Sequence, residues 1–542
     1  MFEDLDLNAI QEENAREVVK RLLSTIEQLS GAVQELRAEN QRLRDENNRL
    51  KGEQGKPNMK GNKSGGAPAQ DHSSEQERHK RSKKTDVHID REEVLKVDAV
   101  RLPADAEYKG CEAVVVQDLQ LHPNNVRFYK EKYYSASQHK TYLAELPPGY
   151  AGQFGPGIKS LVVTLYFGVG TSEPKIREFL ENMGVQISKG EVSNLLIQKQ
   201  EGFHAESRAV YEAGLRSSPW QQTDHTETRV DGQNQHCQVV CNPVYSSYHT
   251  RPGKDRLTVL DVLRQGRQRI FRLNEEAFGY LEPVPLSKAA QKILPKWRSE
   301  KVLDEAAFVK RLDAALPNLN IQQRTAILGA AAVAAYHAER GVPIVDTLVC
   351  DDAAEFNWLT RARMLCWVHD GRLYKKLEPI IARHRGQLQD FRKSYWEYYE
   401  QLLAYREKPT AQKRTQLEAQ FDELFATHTG YYDLDQRIAK TRAKKTSLLR
   451  VLQHPELPLH NNASELAVRQ RVRKRDVSFG PRTSLGVRAW DTFMTLADTV
   501  RKLKISFYAY IQDRISGTNQ IPPLATLLTQ RARQLNLGWS WA

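Results

Sequence analysis

Asp351 and Asp352 end a short apolar run, Val345 to Cys350, at the head of the stretch Leu348 to Pro379, LVCDDAAEFNWLTRARMLCWVHDGRLYKKLEP. The run reads as a buried strand that stops in acid. Carboxylates at the carboxyl end of a central strand face the crevice where open α/β sheets bind ligands. A second apolar pulse, Met364 to Val368, closes on His369, Asp370 and Arg372, and a helix with Tyr374, Lys375, Lys376 and Leu377 follows. Acid at a strand end with a basic helix close behind suits a metal site that handles phosphates. The alternative is a surface turn with two solvated aspartates. Two further acids occupy comparable places. Pro219 to Thr226, PWQQTDHT, reads as a strand that delivers Asp224. Glu465 falls in the first turn of a helix that Asn461 or Asn462 can cap. Two aspartates and a glutamate supply the hard oxygen ligands that Mg²⁺ takes together with water and phosphate oxygens. Two such ions would stabilise the attacking and leaving oxygens of an in-line displacement at phosphorus, and would relieve the repulsion among clustered carboxylates. The basic residues after Glu465, namely Arg469, Arg471, Arg473, Lys474 and Arg475, would hold a polyanionic backbone beside them. With 67 acids in the chain, residue type alone does not single out these three.

The elements that must position these acids belong to a long, basic chain. Its 542 residues exceed one core, so several domains are expected. Lys and Arg number 80, for a net charge of +13, which favours a polyanionic partner, nucleic acid first. No run of eighteen apolar residues occurs, so no membrane span is expected. The start, MFEDLDLNAI, lacks an export pattern, which points to a cytoplasmic protein. The five cysteines, Cys111, Cys237, Cys241, Cys350 and Cys366, form no CxxC and are read as reduced thiols. Cys237, Val239 and Cys241 share one face of a strand, so these cysteines read as core rather than as metal ligands with His236.

The clearest periodicity opens the chain. Leu22, Leu29, Leu36, Leu43 and Leu50 recur every seven residues, with Val19, Ile26, Val33, Asn40 and Asn47 on the companion seam. β-Branched residues and Asn at a, with Leu at d, favour a parallel two-stranded coil. Residues 1–52 are therefore read as a leucine-zipper coiled coil that makes a homodimer or larger, and 53–95 as a basic, flexible linker. Residues 96–150 alternate in short strand-like runs, such as Ala113 to Val116 and Val126 to Tyr134, and read as a small β-rich unit. Within 151–210, helices are expected at Gly157 to Phe167, Pro174 to Asn182 and after Ser188. This is a helix-turn-helix-like unit, with Lys189 a candidate DNA contact. An α/β core follows in three parts, 211–275, 343–380 and 455–515, broken by helical insertions at 276–342 and 381–454. Within the first part His236 to Tyr245 and Leu257 to Val262 are expected to be neighbouring strands. The tail, 516–542, carries no clear signal.

In this order of parts the chain resembles the insertion-sequence-66 family of transposases, over most of its length. The strongest match is HNNASELAVR with the later KRDVSFG: an Asn-Asn pair, a Glu three residues on, and a basic-aromatic signature ending in Phe. The resemblance puts the family's catalytic Glu on Glu465. Its Cys-x-x-His-x-x-Arg pattern matches Cys366, His369 and Arg372, and counting back puts the second Asp on Asp351, with Asp352 as competitor. The first Asp falls on Asp224, where the family's Asp-Glu-Thr reads Asp224, His225, Thr226. His460 stands where the family often has Asp. The family's paired cysteines are missing from 96–150, so no zinc site is expected there.

What the resemblance implies is a multidomain α/β protein. A ribonuclease-H-like mixed-sheet catalytic core with helical insertions would be preceded by a coiled coil, a small β-rich unit and a helix-turn-helix-like unit. It implies a DNA transposase working with two Mg²⁺ or Mn²⁺ ions on double-stranded DNA, both element ends and target. Asp224, Asp351 and Glu465 would hold the ions, supported by Asp352, His369 and Asn462. A bacterial, nucleoid-associated location and smaller accessory transposition proteins are further implications. The competing expectation is a catalytically inactive, dimeric DNA-binding regulator derived from a transposase.

Overall fold

Five strands build one mixed sheet in the computed structural model, which describes residues 12–50, 88–98, 106–108, 110–150, 152–299 and 301–538. The strands are β1 (Trp220–Val230), β2 (Gln233–Asn242), β3 (Tyr245–Arg251), β4 (Thr347–Cys350) and β5 (Ala362–Leu365). Their order across the sheet is β3-β2-β1-β4-β5. The first three form an antiparallel meander, while β4 runs parallel to β1 and β5 parallel to β4. The β1–β2 hairpin turns on Asp231-Gly232, both at positive φ, the dipeptide that a two-residue hairpin loop favours. β4 is buried at all four positions, as expected of a central parallel strand.

Four helices matter most for the sheet: α1 (Glu201–Arg216), α2 (Trp367–Lys375), α3 (Asn462–Ser478) and α4 (Ser484–Lys502). Along α4, Thr495 Oγ1 accepts from Tyr248 N at 3.1 Å and Asp491 Oδ2 from Thr250 N at 2.7 Å, so α4 lies against β3. α1 packs so closely that a Cβ on Gly214 would meet the Tyr245 ring at 2.6 Å. Among the described residues, the crossover from β3 to β4 contains five α-helices, the last being Ile321–His337, whose second half is buried throughout. Helices Ala382–Glu407, Ala411–Leu424 and Tyr432–Arg442 follow α2.

Several expectations change. Leu257 to Val262 is helical (Arg256–Leu263): Asp255 Oδ1 accepts from Leu257 N and Thr258 N, and Val259, Leu260, Val262 and Leu263 are buried. A short apolar run does not distinguish strand from buried helix, and the cap decides. The third strand is instead Tyr245–Arg251. Among the described residues of 96–150 the sheet structure is one hairpin, Lys132–Ser135 with Lys140–Leu143, and Val114 to Val116 are exposed and belong to no strand. The tail contains helix Leu524–Gln534, packed on α1. The first helix of the three-helix segment, Pro156–Val163, continues as a π-helical turn, Thr164–Val169. Glu173–Asn182 and Lys189–Ile197 complete the segment, the latter capped by Ser188 Oγ. Phe167 stacks on Phe493 at 4.8 Å, tying this segment to α4. Of the basic linker at 53–95, residues 53–87 lie outside the described residues.

Candidate active site

Asp224 lies on β1 beside the end of β4. The parallel register pairs Trp220 with Thr347, Gln221 with Leu348 and Gln222 with Val349. Continued by two residues, it places Asp351 next to Asp224, one strand spacing of about 5 Å away. Cys350 ends β4, so Asp351 is the first residue free of the ladder, and its Oδ1 accepts from Ala353 N at 3.2 Å. Glu465 arrives from α3, which packs on β1 and β2. The start of α3 is pinned to β1 by Ala463 N, which donates to Gln222 Oε1 at 3.2 Å, two residues before Asp224. A second tie runs from Trp367 N, at the head of α2, to Leu459 O at 2.9 Å.

The electrostatics follow from this gathering. Burial pushes the Asp224 carboxyl up to about 7; the amide of His225 opposes, and the charges of Asp351 and Glu465 add to the rise. Asp352 faces elsewhere: its Oδ2 pairs with Lys444 Nζ at 2.6 Å and its Oδ1 lies 3.9 Å from Arg363. Of the two adjacent aspartates, Asp351 is therefore the one that acts on Asp224. Glu465 lies between two basic groups of α2, His369 Nδ1 at 3.6 Å from Oε1 and Arg372 Nη1 at 3.7 Å from Oε2.

Several buried polar atoms here lack a hydrogen-bond partner: Glu465 Oε1, His369 Nδ1, Asn462 Oδ1 and both side-chain polar atoms of Asn461. Asn461 does not cap α3 with its side chain; instead Asn462 N donates to His460 Nδ1 at 3.4 Å. Unsatisfied oxygens beside mutually repelling carboxylates are the donor set a hard divalent cation fits. The ligand atoms of Cys366, His369 and Glu465 also lie within 4.8 Å of one another. Burial pushes the Cys366 thiol up to about 12, however, so it is neutral and a poor partner for a hard cation. Asp224 and Asp351 stand outside that tight trio.

The basic run divides. Arg473 is exposed, and Arg475 donates from Nη1 to Glu227 O. Lys189 is exposed on the three-helix segment. Two residues expected to bind DNA point inward, and their assignment is corrected. Arg471 is 1 % exposed, donates from Nη2 to Thr250 Oγ1 at 2.9 Å, pairs with Asp491 at 3.4 Å and lies over the Trp490 ring. Lys474 is buried against the Tyr166 ring at 3.1 Å and donates to Thr171 O, and burial pulls its ammonium down to about 7. Cys237 and Cys241 are fully buried.

Three site residues escaped the sequence reading. Gln222 shares a strand face with Asp224, two residues away, and that spacing was visible. His225 Nε2 lies 3.6 Å from Glu355 Oε1, beside the Asp351 charge. Lys444 comes from far along the chain, and nothing in its neighbourhood signals the pair with Asp352.

A family model described as "Transposase IS66 family" matches residues 330–489, the span that holds Asp351 and Glu465. An uncharacterized protein, y4jO, from Sinorhizobium fredii (strain NBRC 101917 / NGR234) is 32 % identical over 321 residues, 59 % of this chain and 99 % of that relative. This chain belongs to the IS66 transposase family. Membership makes it a DNA-binding, DNA-cleaving protein in general terms. The IS66 match begins in the helix that leads into β4 and ends in α4, so it covers β4, β5, α2 and α3 but neither β1 nor Asp224. No helix among the described residues is long and apolar enough to cross a membrane.

Proposed function

We propose that this IS66-family protein is an Asp-Asp-Glu transposase. It would cut the ends of an insertion sequence and join the freed 3′-OH ends to target DNA. The observation that carries the reading is the convergence of Asp224, Asp351 and Glu465: two neighbouring parallel strands and a helix pinned to one of them, with both other acids raising the carboxyl of the first. The strand order β3-β2-β1-β4-β5, with only β2 reversed, supports a ribonuclease-H-like core.

Asp224, Asp351 and Glu465 would hold two Mg²⁺ or Mn²⁺ ions, whose charge stabilises the attacking and leaving oxygens of phosphoryl transfer. In the first step a water oxygen bonds to phosphorus and the P–O3′ bond breaks, leaving a 3′-OH and a 5′-phosphate. In the second, that 3′ oxygen bonds to a target phosphorus and the target's own P–O3′ bond breaks. His369 and Arg372 would orient Glu465, and Asn462 presents an oxygen without a partner. Asp352, held by Lys444, would act on the lysine rather than on the metals.

The test is plasmid nicking with Mg²⁺ or Mn²⁺, with and without chelator. Asp224→Asn, Asp351→Asn and Glu465→Ala should each abolish nicking and leave DNA binding intact. Undiminished cleavage by the Glu465→Ala protein rejects the assignment. Binding without any cleavage by the parent protein favours the regulator instead.

A further inference from the structure

The helix that carries Glu465 ends in an aromatic ring turned to solvent. Phe479 is 85 % exposed, more than any other described aromatic beyond residue 150. Its backbone is left-handed, φ 58°, a conformation uncommon outside Gly, Asn and Asp. Phe479 N closes α3 by donating to Arg475 O at 2.8 Å. Gly480 is left-handed too, and a Cβ there would meet Arg229 O on β1 at 2.7 Å. Two successive left-handed residues therefore end α3, the second of them close against β1. Trp358 makes the contrast. It is left-handed as well, but its ring is covered by Tyr280 and Arg256. No ring contact is recorded for Phe479 among the described residues. Val477 and Leu485 flank it at 48 % and 45 % exposure.

A basic track leads to this corner. Glu465, Arg469, Arg473 and Val477 follow at four-residue spacing and share one face of α3. Arg473 and, beyond the corner, Arg482 and Arg229 are exposed. Glu227 and Asp476 also lie here; each is engaged by Arg475, through the Glu227 carbonyl and the Asp476 carboxylate. Two rulers give the distance to the acids. Fourteen helical residues from Glu465 to Phe479 span about 21 Å. Five strand residues from Asp224 to Arg229 span about 17 Å.

We propose that Phe479 is a DNA-stacking residue. Building on the transposase reading, the phosphate backbone follows Arg469 and Arg473 along α3, and an unpaired base stacks on the Phe479 ring five to six nucleotides from the scissile phosphate, at about 3.4 Å per nucleotide. Base–aromatic stacking tolerates any sequence, because every base has a π face.

The experiment uses the full-length protein in EDTA and a labelled 30-base-pair duplex of mixed sequence with a six-nucleotide single-stranded extension, with and without 5-iododeoxyuridine in that extension. Phe479→Ala should weaken binding roughly 5- to 100-fold at an unchanged salt slope, and Phe479→Tyr should restore it. Arg473→Ala should instead lower the salt slope by about one. Phe479→Gly should bind as weakly as the Ala protein yet melt no lower than the parent, since Gly adopts the left-handed turn freely. Irradiation should attach the iodinated nucleotide to the peptide between Arg475 and Arg482. Parental affinity and no crosslink for Phe479→Ala overturn the proposal, and so does a loss of affinity matched by a loss of melting temperature. None of these readouts needs cleavage, so a chain that never cuts DNA leaves this test intact.

Discussion

Asp224 carries the strongest electrostatic signature of the site, and its consequence depends on pH. Its carboxyl titrates near 7 in the folded protein against 3.8 ordinarily, chiefly because it is buried. Between those values the folded, metal-free chain holds a proton that the unfolded chain has released. Stability without metal therefore falls as pH rises through that window, and the penalty is complete above 7. Removing the charge should remove the penalty. In EDTA at pH 8, Asp224→Asn is expected to melt above the parent, by at most about 4 kcal/mol, with the difference shrinking toward pH 5. Mn²⁺ at pH 8 should raise the parent's melting temperature and leave the variant's almost unmoved; a parent indifferent to Mn²⁺ would remove the case for a metal site. Asp352 makes the complementary case. Because it pairs with Lys444, Asp352→Asn should reduce nicking by no more than about 10- to 100-fold, the range for an outer partner of a metal site. The adjacent pair looked equivalent in the sequence, since a lysine 92 residues later separates their roles.

Helix α3 serves two faces at once. Ser464, Ala467, Arg471 and Lys474 are its buried residues, spaced three, four and three apart. That spacing was legible as one helical face, yet the eye takes Arg469 to Arg475 as a uniform charge run. Long basic side chains turn inward only where partners wait, here Asp491, Thr250 and the rings of Trp490 and Tyr166, all supplied by distant segments. Arg471→Ala should accordingly destabilise the protein by roughly 3–5 kcal/mol, because it leaves Asp491 buried without its cation. Thermal melting of the Arg471→Ala and Arg473→Ala proteins separates the faces: only the first should lose stability, and only the second should retain stability while losing salt-dependent DNA affinity. Caps explain where sequence reading worked and where it failed. Ser188 announced its helix correctly, whereas the Asp255 cap went unread and Leu257 to Val262 was taken for a strand. Asp351 does follow the end of β4, because an apolar run followed by acid survives uncertainty in the boundaries, whereas Asp224, expected at a strand end, lies inside β1, which runs on to Val230.

At the scale of the whole molecule, the helix Glu13–Leu50 presents an apolar stripe to solvent. Glu13–Leu50 is one helix of 38 residues, about 57 Å long, the helix that a coiled coil needs. Its apolar residues serve two purposes. Leu23 is buried and contacts Ile381, with Val19 packed alongside, so one side rests on the protein's own surface. The seam residues Leu22, Ile26, Leu29, Val33, Leu36 and Leu43 remain 39–70 % exposed. Six apolar side chains in a row along one stripe are costly to leave in water, at roughly 25 cal/mol per Å², and heptad spacing makes a second copy of the same helix the matching cover. A dimer would bring two copies of the α/β core together. Leu29→Glu with Leu36→Glu should therefore convert the protein to a monomer in size-exclusion light scattering. The melting of the α/β core should not move, since Leu29 and Leu36 are 62 % and 70 % exposed. Leu23→Asp should leave the dimer in place and loosen only the contact with Ile381. If the parent itself elutes as a monomer at tens of micromolar, the exposed seam must have some other partner, and each core must engage DNA alone.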